Sequence, residues 1–136
     1  MGFAKRGQNT KGLHIRQYSR AFVFEQDDNR NVFVSADCAM MSQLVKKQVI
    51  QNLRDEHKIP EKIYTADNVI LSATHTHSGP GGYLQYVLFQ ASTQGFVEQT
   101  FDAIVNGITK VINGFSNDFK MYLKKYVFEY CMFSPS

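Results

Sequence analysis

Hydrophobic and polar positions change their spacing several times along this chain, and each change predicts an element. Leu13, Ile15 and then Ala21-Phe22-Val23-Phe24 form a first strand pattern, with Arg16 and Arg20 bracketing Tyr18. Asp27-Asp28-Asn29-Arg30 is a cluster of turn formers, and Asn31-Val32-Phe33-Val34-Ser35 resumes the strand pattern. Together the two runs predict an antiparallel hairpin. From Ser42 to about His57 the apolar residues Met41, Val45, Val49 and Leu53 recur every four positions, and Leu44 and Ile50 widen the stripe. That is the spacing of an amphipathic helix, with Ser42 as its N-cap and Pro60 beyond its end. Val69-Ile70-Leu71, bounded by Asp67-Asn68 and by Ser78-Gly79-Pro80, reads as a short strand covered on both faces. A second helical stripe follows in Phe101, Ile104, Val105, Ile108, Val111 and Ile112, with Gly114 placed to end it.

Strand, helix and strand in that order make a βαβ unit, whose two strands run parallel and align their carboxyl ends. The expected fold class is therefore α/β: a partial mixed sheet with an N-terminal β-hairpin, a βαβ unit and a covering C-terminal helix. Met1 to Gly12 reads as a looping entry. Tyr83, Tyr86, Val87, Leu88 and Phe89 form an aromatic and aliphatic run that is expected to be core, or to line an apolar pocket. Residues 1–114 group as one unit. Residues 115–136 form a divergent aromatic and basic tail, including Phe119, Tyr122, Tyr126, Phe128, Tyr130 and Phe133, with no clear helical or strand alternation.

Chemistry concentrates after the Val69-Ile70-Leu71 run, in Ser72-Ala73-Thr74-His75-Thr76-His77-Ser78-Gly79-Pro80-Gly81-Gly82. If the extended conformation continues through His77, His75 and His77 leave the same side of the strand about 6–7 Å apart. Two imidazoles so placed can converge on one ion or one substrate group. A lone histidine at a strand end is more often a hydrogen-bonded structural residue; His57 reads as an ordinary helix-end histidine rather than a ligand, and His14 is discounted as a ligand in the same way. Zinc takes three or four protein ligands, so this pair supplies only part of a site. Asp37 follows the Val32-Phe33-Val34 run and is expected on the same rim of the sheet. There it is either a turn residue or an acceptor that orients a histidine.

Composition narrows the remaining choices. The chain has 136 residues, 43% of them hydrophobic, which suits one domain with a real core. A formal charge of +3 argues against nucleic acid as a partner, and Lys46-Lys47 and Lys124-Lys125 read as solvated surface. The same weak positive charge suits peripheral contact with an anionic membrane surface. Cys38 and Cys131 allow at most one disulfide and have no metal-ligand spacing. No run of eighteen apolar residues and no apolar leader is visible.

Ser72 through Tyr83, followed by Gln85-Tyr86, closely resembles the signature of the neutral, non-lysosomal ceramidase family. So do Met1-Gly2-Phe3-Ala4, Gly7-Gln8, Gly12, His14, Arg16 and Tyr18-Ser19-Arg20-Ala21-Phe22, with matching segments at Val32 to Asp37 and at Gly95-Phe96 with Gln99-Thr100-Phe101. The resemblance spans roughly Met1 to Ile112 and fades in the tail, which suggests a truncated or mis-spliced catalytic domain.

This resemblance implies a zinc-dependent amidohydrolase that converts ceramide to sphingosine and a fatty acid, with one zinc ion as cofactor and an extracellular or cell-surface location. It implies that His75 is a zinc ligand and that His77 lies in the active-site pocket, close to the scissile amide. Gly79, Tyr83 and Tyr86 become substrate-pocket candidates, and Asp37 a candidate for orienting a ligand. The family's other metal ligands (a later histidine, a glutamate and a tyrosine) and its proposed serine nucleophile lie outside this sequence, so the chain alone is expected to be inactive. Two other readings stay open: a non-catalytic α/β binding or interaction domain, and another metallohydrolase that uses His-x-His.

Overall fold

The structure is a computed structural model and describes residue 12, residues 14–27 and 29–114, and the backbone of residues 127–131. Four strands form one sheet in the order β3-β2-β1-β4. Strand β1 (Tyr18–Gln26) pairs antiparallel with β2 (Asn29–Ala36), from Ser19↔Ala36 to Gln26↔Asn29. The loop between them is thus two residues long, and Asp27 takes a left-handed φ of 56°, as tight hairpin turns require. This hairpin is the one expected from the sequence.

Helix α1 (Gln43–Asp55) carries the chain from β2 to β3 (Val69–Ala73), and β2 and β3 are parallel, from Val32↔Val69 to Ala36↔Ala73. Ser42 caps α1 by accepting a 3.2 Å hydrogen bond from the Val45 N–H, and Val45, Val49 and Leu53 are buried along one stripe. The helix closes through bonds from the His57 and Ile59 N–H groups to Asn52 and Leu53, with Lys58 left-handed at φ 57°. A βαβ unit of the expected composition results.

One face of the sheet is sealed. Ala21, Val32, Val34, Ala36 and Val69 have no exposed surface, and they share one apolar cluster with Val45 and Val49 of α1 and with Ile104, Ile108 and Ile112 of α3 (Glu98–Asn113). Close approach of α3 to β1 is permitted by small residues: the buried Ser19 hydroxyl donates to the Gly107 carbonyl at 3.0 Å.

Three expectations are corrected. Strand β3 was expected to be covered on both faces, but Ile70 is half exposed, and Phe24 on β1 is exposed as well. Alternation sends these side chains to the face opposite α3. The run from Tyr83 to Phe89 divides: Tyr83 and Leu84 are buried, whereas Tyr86, Val87 and Leu88 are exposed at the start of a short helix, α2 (Val87–Thr93). The tail, read as having no clear helical or strand alternation, contributes the backbone of β4 (Val127–Cys131), which pairs antiparallel with β1. Lys124-Lys125 and the entry segment before Gly12 lie outside the described residues.

Candidate active site

The parallel pairing of β2 and β3 decides which loops meet. Their last paired residues are Ala36 and Ala73, and a 3.0 Å bond from the Thr74 N–H to the Ala36 carbonyl extends the ladder by one step. Residues 37–41 and 74–83 therefore leave the sheet side by side. This is the rim at which open α/β sheets build their sites.

The extended conformation does not run through His77, as the alternation argument required. It ends at Ala73, and His75 adopts a left-handed φ of 63°. Such a conformation is uncommon outside glycine, although histidine tolerates it better than most residues. The bend still brings the two imidazoles together, with ring centroids 5.1 Å apart in an edge-to-face arrangement at 68°. Both residues are exposed.

His75 is oriented by the backbone. Its Nδ1 lies 2.9 Å from the Ala39 carbonyl oxygen, which can only accept, so Nδ1 carries a proton, and in the neutral tautomer that this bond selects the lone pair is on Nε2. A hydrogen bond that fixes tautomer and ring direction in this way is the usual support for a metal-bound histidine. His75 thus fits the role of a ligand through Nε2. Among the described residues, no group of three or more His, Cys, Asp or Glu side chains gathers as a metal ion needs.

Asp37 reaches the rim but orients neither ring. Its Oδ2 accepts from the Tyr18 N–H at 3.1 Å and its Oδ1 accepts from Arg20 at 3.0 Å, while its own N–H donates to the Tyr18 carbonyl at 2.8 Å. These bonds tie the start of β1 to the end of β2. The acceptor for His75 lies two residues further on, and a main-chain carbonyl has no side-chain signal by which a sequence could reveal it.

Each pocket candidate has a different place. Gly79 is buried where a Cβ would stand 2.8 Å from the Gln17 carboxamide nitrogen. Tyr83 lies under the rim rather than in a cleft: it has no exposed surface, and its hydroxyl donates to the Met40 carbonyl at 2.9 Å and accepts from the Met40 N–H at 3.1 Å. Tyr86 is 43% exposed, beside Val87 and Leu88 at 82% and 79%. Of the three candidates, Tyr86 presents the largest surface to solvent.

The family described as "Neutral/alkaline non-lysosomal ceramidase, N-terminal" matches residues 1–122. The chain belongs to this ceramidase family. Similar proteins include neutral ceramidase A of Dictyostelium discoideum, 49% identical over 82% of this chain and 16% of that protein. The neutral ceramidase of Pseudomonas aeruginosa is 43% identical over 82% of this chain and 17% of its own length. The crystal structure of the Pseudomonas aeruginosa neutral ceramidase superposes with a TM-score of 0.76 at 45% identity, covering 82% of this chain and 18% of that one. A structure described as "Ceramidase complexed with C2" superposes at 0.74 with 44% identity, covering 82% and 17%. This chain therefore spans about a sixth of the ceramidases it resembles.

The superpositions show that this chain shares its fold with part of those ceramidase structures. Among the described residues, no helix is long and apolar enough to cross a membrane.

Proposed function

We propose that this chain supplies one side of the catalytic centre of a zinc-dependent ceramide amidohydrolase, which releases sphingosine and a fatty acid. The observation that carries this reading is the His75 hydrogen bond to Ala39, which presents Nε2 as the metal-binding nitrogen. When bound, zinc supplies Lewis acidity toward an amide carbonyl. Every other contribution comes from the chain. His75 holds the ion with its Nε2 lone pair. His77, packed edge to face against His75, delivers a proton to the departing amine nitrogen or a hydrogen bond to the carbonyl oxygen as charge develops there.

The chain alone is inactive in this reading, because one histidine with a second beside it holds zinc weakly and without the tetrahedral set that catalysis needs. Residues 1–114 act as the partial catalytic unit. The exposed Tyr86, Val87 and Leu88 face the lipid surface that carries the substrate, a peripheral contact checked by vesicle co-sedimentation of Leu88→Asp against the unaltered chain.

The deciding experiment compares ceramide hydrolysis by the isolated chain with that of a chimera. In the chimera, residues 1–114 replace the matched segment of the Pseudomonas aeruginosa neutral ceramidase. The isolated chain should release no fatty acid, and the chimera should. A folded chimera that does not hydrolyse ceramide removes the enzymatic reading and leaves the non-catalytic α/β domain.

A further inference from the structure

We propose that Tyr83 is the positioning residue for His75, acting through the peptide group that joins Ala39 to Met40. The Met40 N–H and the Ala39 C=O are the two ends of one planar unit. The N–H donates to the Tyr83 hydroxyl at 3.1 Å, and the C=O accepts from His75 Nδ1 at 2.9 Å. The same hydroxyl donates to the Met40 carbonyl at 2.9 Å. Anchoring the N–H end of a rigid plane aims its C=O end, so the phenol sets the direction of the carbonyl that selects the His75 tautomer. Bonds in series also polarise one another, which makes the Ala39 oxygen a stronger acceptor than an isolated carbonyl.

Two further observations support the role. Tyr83 has no exposed surface, so its ring is fixed by packing and its hydroxyl is held where Met40 needs it. Burial also pushes the phenol's pKa well up, with the neighbouring Cys38 adding to the effect, so the group stays a protonated donor through the neutral range. Removing only the oxygen, as in Tyr83→Phe, keeps the ring volume and leaves the Met40 N–H and C=O without this partner. The peptide is then free to turn, and His75 samples both tautomers.

The purpose of the device rests on reading His75 as the zinc ligand, but its test does not need metal. Two-bond proton–nitrogen correlation spectra of the 136-residue chain, recorded near pH 8, report the His75 tautomer directly. Unaltered chain should show a single Nδ1–H form and a Met40 amide protected from hydrogen exchange. Tyr83→Phe should show both tautomers and lose that protection while the sheet amide shifts stay in place.

An Nε2–H form or an unprotected Met40 amide in the unaltered chain overturns the proposal, even if the Phe variant does not fold. So does a folded Tyr83→Phe chain with unchanged His75 signals. Zinc titration of the chimera that carries residues 1–114, with and without Tyr83→Phe, separates the two ideas, with roughly tenfold weaker binding expected for the variant. Tautomer release without any zinc binding to the unaltered chimera leaves the positioning role standing and removes the ligand reading.

Discussion

The sealed face of the sheet and the rim at the ends of β2 and β3 are built on opposite terms. Under α1 and α3, residues such as Val34, Val45 and Ile108 are fully buried and held by shape and apolar area. At the rim, His75 and His77 stay exposed, and His75, in a left-handed backbone conformation, has its ring held by a hydrogen bond to the Ala39 carbonyl. Apolar packing is concentrated in the first region and exposed polar groups in the second. Tyr83 belongs to both, since its ring is packed in the core and its hydroxyl bonds the Met40 main chain next to the Ala39 carbonyl that meets His75.

The sharpest way to break this contrast is to cut into the sealed face. Ile108→Ala removes fully buried carbon atoms facing the sheet and should cost about 2–5 kcal/mol, read from the urea midpoint. A loss below 1 kcal/mol would mean that the helices do not carry the stability.

Glycines near the rim offer the next largest effect. At Gly82, with φ at +90°, a Cβ would stand 2.5 Å from Val97 Cγ2, so Gly82→Ala should cost about 2–3 kcal/mol. Gly79→Ala meets only the end of the flexible Gln17 side chain and should cost under about 1 kcal/mol. Equal losses at the two positions would show that the turn is not held by the Gly82–Val97 contact.

Cys38 tests the loop beneath the site. Burial pushes its thiol up to about 11 from an ordinary 9.0, with a smaller opposing pull from the Tyr83 hydrogen bond and a smaller push from Asp37. A raised folded-state pKa means that the unfolded chain loses this proton first. Stability held below pH 9 should therefore fall, on the order of 2 kcal/mol, as pH rises through 11. Cys38→Ala should lack this part of the alkaline decline; an identical decline in the variant would place Cys38 in contact with solvent.

The smallest effect is expected at the rim itself. His75→Gly removes a side chain from a left-handed position and should leave stability unchanged or raise it by up to about 1 kcal/mol. A loss comparable to that of Ile108→Ala would erase the distinction between the two regions.

The architecture was legible where burial writes a period into the sequence. Val45, Val49 and Leu53 declared α1, and the Asp27 turn between two apolar runs declared the hairpin. Parallel pairing followed from connectivity, and with it the placing of Asp37 and the two histidines on one rim. Where tertiary contacts overrode local pattern, the reading failed. The alternation argument carried β3 through His77 because a left-handed residue leaves no mark in an apolar pattern. Tyr83, Tyr86, Val87 and Leu88 looked alike as one aromatic and aliphatic run, yet two main-chain bonds to Met40 draw Tyr83 inward while Val87 and Leu88 stay outside. Asp37 reached the expected rim, but Arg20 and the Tyr18 N–H claim its carboxylate, a pairing that depends on where β1 begins rather than on spacing.

Zinc content of the purified chimera, measured with and without His75→Ala, bears most directly on the proposed role of this rim. One zinc per chimera, lost together with ceramide hydrolysis when His75 becomes alanine, is the expected result. Full zinc occupancy in a folded His75→Ala chimera would contradict it.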